Sequence, residues 1–428
     1  MERITINELK ENTACKISGF VEKLRDTKYM IFVILQDITG KIQVSIDKAE
    51  QEKLATEVIR AVPGSVVSFW GKMQLNEKVK QGGKEFIPKK LSIESIAETA
   101  PIDSESGIDQ RLDYRWIDLR QEKNQLIFEV QTYITASFRE FLLNNNFLEI
   151  HTPKLIGAAS ESGSDVFELS YFDRKAYLTQ SPQFYKQMAM ASGFERIFEC
   201  GPVFRAEKSY TNKHATEFTG FDLEFSYIDS YEDVMKVEED MITDMLKNVK
   251  DKFGDKIKEV YGIDIVVPTT PFPRMKLADV YIELEKRYNF VVEENEKNDL
   301  STEAERLCKQ LSQDMFNSEF LFVTDYPAEK RAFYHMRKNG IAQGYDLIWK
   351  GCEITTGAQR EHRYETLKKQ AEEKGLGEDV KFYLEFFKYG CPPHGGFGIG
   401  LDRITMIIFN LSIKEVEFLF RGPNRITP

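Results

Sequence analysis

The chain has 428 residues, 42% hydrophobic and 30% charged, with a formal net charge of −11. That composition is globular, the length leaves room for two domains, and no apolar run is long enough to span a membrane. Five scattered cysteines without a CxxC pair argue for reduced thiols and against a zinc site, and MERITINELK has no signal-peptide character, so a cytoplasmic protein is expected.

Residues 1–100 read as a small β domain. Strand-like runs occupy CKISGFVEKL, YMIFVILQD, KIQVSI and SVVSFWGKMQL, with DITG a tight turn and KAEQEKLATEVIRAV a helical patch. Five or so short strands around one helix predict an OB-type barrel, a scaffold for single-stranded nucleic acid. The chain as a whole is acidic, yet this stretch carries 16 Lys+Arg against 14 Asp+Glu. Local basic surface is what steers a polyanion. Lys78, Lys80, Lys84, Lys89 and Lys90 decorate a long hairpin and read residue by residue as a solvated charged edge.

Residues 101–123, rich in Pro, Ser, Gly and acids, read as a linker. From Asn124 the spacing of Ile127, Val130, Ile134, Phe138 and Leu142 predicts a helix that ends at Asn144–Asn146. In QSPQFYKQ, Ser181 and Pro182 suit a helix start, and Phe184, Met188 and Ala191 share the face expected to pack inward. Gln183 and Lys186 lie on another face near the helix N-terminus, where they could form an anion site; an ordinary surface charge is the competing reading of Lys186. Later strands adjoin without intervening helices, so residues 124–428 are expected to be α+β around an antiparallel sheet.

P-loop, GxSxG and HExxH signatures are absent. What remains is a set of charged residues inside strand-like sequence, where buried charges need partners. FRAEKSYTNKHATEFTGFDLEF places Arg205 and Glu207 at one strand end, and Phe218, Asp222 and Glu224 on the returning strand. Arginine can grip a phosphate and a phenyl face can stack on a base; a surface ion-pair hairpin is the other reading. In YDLIWKGCEITTGAQREH, Asp346 and Glu353 bracket a Lys350-Gly351 turn, with Thr356 beyond. Two carboxylates and a hydroxyl are hard ligands suited to Mg²⁺, against the alternative of a solvated hairpin. In GFGIGLDR, Arg403 follows Asp402 in the first turn of an apolar helix, where the dipole favours acids, so an anion nearby would explain it.

Together these segments resemble class II aminoacyl-tRNA synthetases. FLEIHTPKL looks like motif 1, FRAE with HATEF and the following D.E like motif 2, and GFGIGLDR like motif 3. The OB-like domain points to the aspartate/asparagine/lysine subgroup, and QSPQFYKQ, ESGSD and EITTGAQR are similar to aspartyl-tRNA synthetases of the archaeal and eukaryotic type. The resemblance implies an OB-fold anticodon-binding domain over 1–100 and a class II catalytic domain over 124–428, an antiparallel sheet with flanking helices. It implies ATP-dependent ligation of L-aspartate to tRNA(Asp) through aspartyl-adenylate, with Mg²⁺ as cofactor, in a homodimer built on motif 1. Whether tRNA(Asn) is also charged stays open.

The resemblance also implies residue roles. Arg205 would hold the ATP α-phosphate and Arg403 the γ-phosphate, these two being catalytic, with Phe218 sandwiching the adenine against Arg403. Glu207, Lys213, His214, Gly398, Gly400 and Asp402 would complete the ATP side, and Asp346, Glu353 and Thr356 would hold magnesium. Glu161 and Ser164 lie in what would be a loop closing over the amino acid. Gln183, Lys186 and Arg360 would bind aspartate, with Asp222 on its ammonium and Arg205 and Thr356 beside it. In the barrel, Phe32 would stack on an anticodon base, Gln43, facing it across the DITG hairpin, would hydrogen-bond one, and Glu94 would contribute. Thr356 stands where the family often has Ser, and Phe397 where a smaller residue is frequent. Two buried cations, Lys186 and Arg360, would need an anion, which an asparagine amide does not supply. The alternatives are an asparaginyl-tRNA synthetase or tRNA-independent amidating ligase on the same fold, and a non-catalytic RNA-binding paralogue. Intact Arg205, Glu353 and Arg403 weigh against the last.

Overall fold

The computed structural model describes residues 2–80, 82–157 and 166–428. It divides into two compact units, Met1–Glu122 and Lys123–Pro428. In the first, β1 (Ala14–Asp26), β2 (Met30–Asp37), β3 (Gly40–Asp47), β4 (Val66–Leu75) and β5 (Lys84–Ser95) form a closed barrel in the order β1-β2-β3-β5-β4. Strict alternation drives it: Ile31, Val33 and Leu35 of β2 and Ile42, Val44 and Ile46 of β3 are all buried in the barrel interior. Gly19 lets β1 pass close to β2, since a Cβ there would lie 2.2 Å from the Gln36 carbonyl oxygen.

Two expectations for this unit change. The helical patch shortens to Glu52–Val58, because Asp47 Oδ1 accepts from the Ala49 and Glu50 N–H groups and holds the preceding residues in a turn. The stretch read as a linker forms short helices at Ile108–Asp113 and Arg115–Asp118, where Arg115 and Asp118 make a buried ion pair. An acid and a base three apart on one turn sit on the same helical face, which a composition-based reading overlooks.

The second unit is built on an eight-stranded sheet. Its order is Arg274–Lys276, Phe320–Thr324, Gly344–Trp349, Cys352–Gln359, His394–Gly400, Glu217–Ser226, Arg196–Phe204 and Leu148–Glu149. The pairings are antiparallel except the two at the sheet edges. The helices Glu122–Asn144, Tyr231–Tyr261 and Leu401–Phe409 share one hydrophobic core with the sheet. Phe397 points into that core, so its bulk stays off the opposite face and leaves Gly396 and Gly398 there. Lys350 and Gly351, with φ of 51° and 77°, make the tight turn between Gly344–Trp349 and Cys352–Gln359. No helix of the described residues is long and apolar enough to cross a membrane, and all five cysteines are free.

Candidate active site

Three neighbouring strands set out the site. Along Glu217–Ser226 the period of two puts Phe218, Gly220, Asp222 and Glu224 on one face. The adjacent His394–Gly400 strand places Gly398 opposite Asp222 and Gly396 opposite Glu224, and Thr356 lies opposite Gly398 from the other side. A Cβ at Gly398 would come within 2.7 Å of Asp222 Oδ1, and one at Gly396 within 2.5 Å of Glu224 Oε2. These glycines are therefore the space the two carboxylates occupy.

The face opens into a cavity of about 340 Å³. Every residue of the expected amino-acid and ATP sets that lies among the described residues lines it. Glu161 and Ser164 lie outside the described residues. Asp346 sits behind the lining and is buried.

On the amino-acid side, the Gln183–Ala191 helix begins after Pro182, and Ser181 Oγ accepts from the Gln183 N–H at 3.3 Å. Its inward face differs from expectation. Met188 is 37% exposed, whereas Gln183, Lys186 and Gln187 are buried. The polar residues turn inward because each finds a partner. Gln183 donates to Gln187 Oε1 at 2.8 Å, and so does the Tyr383 hydroxyl at 3.0 Å. Gln187 Nε2 lies 3.0 Å from His394 Nε2, and His394 Nδ1 lies 2.8 Å from the Pro392 carbonyl oxygen. Burial pushes His394 down to about 4, so the ring is neutral, donating from Nδ1 and accepting at Nε2.

Lys186 is 2% exposed, which removes the surface-charge reading. Its Nζ lies 3.1 Å from Asp222 Oδ1 and 3.4 Å from Glu224 Oε2, and it donates to the Phe397 carbonyl at 3.4 Å. Arg360, equally buried, donates to Glu224 Oε1 at 3.0 Å and to the Gly396 carbonyl at 2.8 Å. The expectation of two cations lacking an anion is thus corrected: two protein carboxylates already pair them. Burial alone would raise the Glu224 pKa, but Arg360 and then Lys186 hold it below the usual carboxylate range.

Around the expected nucleotide residues, the Arg205 guanidinium lies over the Phe218 ring at 5.7 Å, and Arg403 lines the same cavity. Arg403 donates to the Glu353 carbonyl at 2.8 Å. Arg205 also lies 3.7 Å from Glu207. His214 Nδ1 bonds the hydroxyls of Ser209 and Thr211, and burial followed by Arg403 lowers its pKa, which keeps it neutral. Asp402 has both oxygens committed, accepting from Thr219 N–H and from Gln131 Nε2 at 3.0 Å each. It therefore ties the Glu122–Asn144 helix to the Phe218 strand while lining the cavity. Lys213 reaches the carboxylate of Glu305 at 2.8 and 2.9 Å.

The magnesium set meets as expected in position. Thr356 Oγ1 lies 2.9 Å from Asp346 Oδ1 and 3.1 Å from Glu353 Oε1. Burial, with Asp346 next to it, pushes Glu353 up to about 7. One hydroxyl proton serves one carboxylate at a time, so a proton on Glu353 completes the chain to Asp346. Two buried acids sharing a hydroxyl gain from a divalent cation, so the donor set fits Mg²⁺. Asp346 is also held from another side, since Arg331 Nη1 and Nη2 grip its two oxygens at 2.9 and 2.6 Å. As a direct ligand it would have to share itself with that guanidinium.

The barrel set is only partly brought together. Phe32 pairs with Ser45, and Gln43 with Ile34, so Gln43 is the diagonal neighbour of Phe32 and does not face it. Arg25 lies 4.7 Å over the Phe32 ring. Gln43 donates to Ser45 Oγ at 3.1 Å, and Ser45 donates to Glu85 at 2.5 Å. Glu85, paired with Gln43 across β3 and β5, thus holds the acidic place beside it. Glu94 lies nine positions further along β5, about 30 Å of strand away.

Residues not singled out as site residues include Glu224, Arg331, Glu305, Gln187 and His394. Glu224 had a signal, a charge alternating with Asp222 in an apolar strand. Arg331 and Glu305 had none, since their partners come from distant segments.

The family described as "tRNA synthetases class II (D, K and N)" matches residues 107–421, and an "OB-fold nucleic acid binding domain" matches 15–94. The chain is 40% identical to an aspartate–tRNA(Asp/Asn) ligase of Methanopyrus kandleri, over 98% of this chain and 97% of that protein. It is 36% identical to an aspartate–tRNA(Asp) ligase of Pyrococcus furiosus, over 99% and 98%. Among solved structures, asparaginyl-tRNA synthetase from Pyrococcus horikoshii with asparaginyl-adenylate aligns with TM-score 0.91 at 28% identity, covering both chains fully. Aspartyl-tRNA synthetase from Entamoeba histolytica aligns with TM-score 0.86 at 30% identity, over 100% of this chain and 93% of that one. The chain belongs to the class II tRNA synthetases of the aspartate, lysine and asparagine group.

Proposed function

We propose that the chain is an aspartate–tRNA ligase, making aspartyl-adenylate from L-aspartate and ATP and passing the aspartyl group to tRNA(Asp). Relatives named for both tRNA(Asp) and tRNA(Asp/Asn) leave tRNA(Asn) as a second acceptor. The aspartate α-carboxylate attacks the α-phosphate in line and pyrophosphate leaves; a tRNA ribose hydroxyl then attacks the carbonyl and AMP leaves. Arg205 and Arg403 neutralise the phosphates, and positioning replaces any side-chain nucleophile. Glu353 and Thr356, with Asp346 behind them, would hold Mg²⁺, which supplies charge neutralisation on the phosphate oxygens. The active form is a homodimer and works in the cytoplasm.

The observation that supports the choice of aspartate is the Lys186–Asp222–Glu224–Arg360 cluster, buried except at Asp222, which lines the cavity. It is charge-balanced when empty, so binding must proceed by exchange. The substrate ammonium takes Asp222 from Lys186, and the substrate β-carboxylate replaces Asp222 on Lys186 and adds to Arg360. Asparagine brings the ammonium but no second anion, and leaves Lys186 with Glu224 alone. The asparaginyl enzymes share this fold at 28% identity, and such likeness speaks to architecture; the lysine speaks to the substrate. Lys186→Met tests the exchange. KM for aspartate should rise at least tenfold while KM for ATP stays within about twofold. An equal rise in both would refute it.

A further inference from the structure

We infer that Glu305 is a positioning residue for ATP, holding Lys213 and the backbone of Glu353 in one fixed arrangement. The inference rests on the ligase reading for its substrate and on geometry for everything else. Glu305 lies near the start of the Thr302–Phe316 helix, whose N-cap Ser301 accepts from the Ala304 N–H. An acid there is favoured by the helix dipole. The residue is 8% exposed and does not itself line the cavity. Its carboxylate takes Lys213 Nζ with both oxygens, at 2.8 and 2.9 Å, and Oε1 also accepts from the Glu353 N–H at 2.7 Å.

Three segments far apart in sequence therefore meet on one side chain: the loop after the Arg196–Phe204 strand, the Thr302–Phe316 helix and the Cys352–Gln359 strand. Lys213 and Glu353 both line the cavity, as do Arg403 and His214. A lysine at the end of a loop is a flexible point charge. Bound to both oxygens of a fixed carboxylate, it keeps at least one N–H aimed elsewhere, and the cavity is where a phosphate can accept it. Glu305 also fixes the start of the strand that carries Glu353 and Thr356, so the loop cation and the acids move as one unit.

Glu305→Gln separates the two tasks, because the amide oxygen still accepts from Glu353 N–H but no longer pairs with a cation. Pyrophosphate exchange should show KM for ATP raised about tenfold and KM for aspartate within twofold. In a Lys213→Met background the same substitution should change KM for ATP by less than twofold, since the pair acts as a unit. Equal rises in both KM values, an unchanged KM for ATP, or additive effects in the double variant would overturn the inference. Glu305→Asp, which keeps the charge but is shorter, provides the same test if Glu305→Gln does not fold: KM for ATP should rise about threefold with aspartate unaffected, and no change would overturn it. If the unsubstituted enzyme exchanges with another amino acid, the ligase reading fails, while the ATP comparison is still read with that amino acid.

Discussion

Glu224→Gln probes the charge balance most sharply. The carboxylate is fully buried, 3.0 Å from Arg360 and 3.4 Å from Lys186. Each pair carries a few kcal/mol of Coulomb attraction at an effective dielectric of about 20. Glutamine keeps a hydrogen bond to Arg360, and Asp222 stays on Lys186, so the net loss should sit at the low end for a broken buried pair, about 3 kcal/mol. For a unit of about 300 residues, 1 kcal/mol moves Tm by roughly 2 °C, so the variant should melt roughly 5 °C lower. The variant cluster then has one cation in excess. Aspartate, which brings an anion to that place, should raise the variant's Tm by more than it raises the wild type's, and asparagine should not. Thermal melts with and without each amino acid decide it. A Tm within 1 °C of wild type, or equal rescue by asparagine, would rule out a charge-balanced cluster at Glu224.

Gly398→Ala puts a methyl 2.7 Å from Asp222 Oδ1, so the carboxylate must move. KM for aspartate should rise about tenfold, with a fall in melting temperature smaller than that of Glu224→Gln because Glu224 still pairs Lys186, and an unaffected KM would show Asp222 is not needed where it stands. Glu238, fully buried and accepting from the Tyr345 hydroxyl at 2.6 Å, is pushed up to about 8 by burial. The unfolded chain loses that proton near 4.5, the folded chain near 8. Folding is therefore penalised progressively as pH climbs between those values, and the penalty is constant above. Glu238→Gln removes it, so the variant should match wild type near pH 4 and gain up to roughly 5 kcal/mol well above pH 8. Urea unfolding at the two pH values checks this; a gain independent of pH would contradict it.

The barrel was legible because its inward residues alternate without interruption, as in Ile31, Val33 and Leu35. The central sheet was legible for another reason, as runs of strand residues without intervening helical patterns; strands such as Phe320–Thr324 and Gly344–Trp349 are buried at every position, and the charged face stood out as Asp222 and Glu224 in an otherwise apolar strand. Burial of Lys186 was not legible, since the helix could equally have turned Met188 inward and its partners sit 36 and more positions away. Arg331 and Glu305 escaped for the same cause: each is one charge among several in its segment, beside Lys330 and Arg306 respectively, and nothing local marks it out until the fold supplies Asp346 or Lys213. The register of Phe32 and Gln43 was within reach. The DITG turn pairs Asp37 with Gly40, which fixes Phe32 opposite Ser45. Arg115 and Asp118 show the opposite failure, a charged stretch whose composition suggests solvent and whose pairing allows burial.

If the Lys186 cluster selects a carboxylate over its amide, aspartate and asparagine must part at adenylate formation. Pyrophosphate exchange by the purified enzyme, with aspartate and asparagine compared at equal concentration, tests it most directly. Exchange driven by aspartate, at a kcat/KM at least a hundredfold above that for asparagine, is the predicted result. Exchange driven by asparagine, or by both equally, would contradict it.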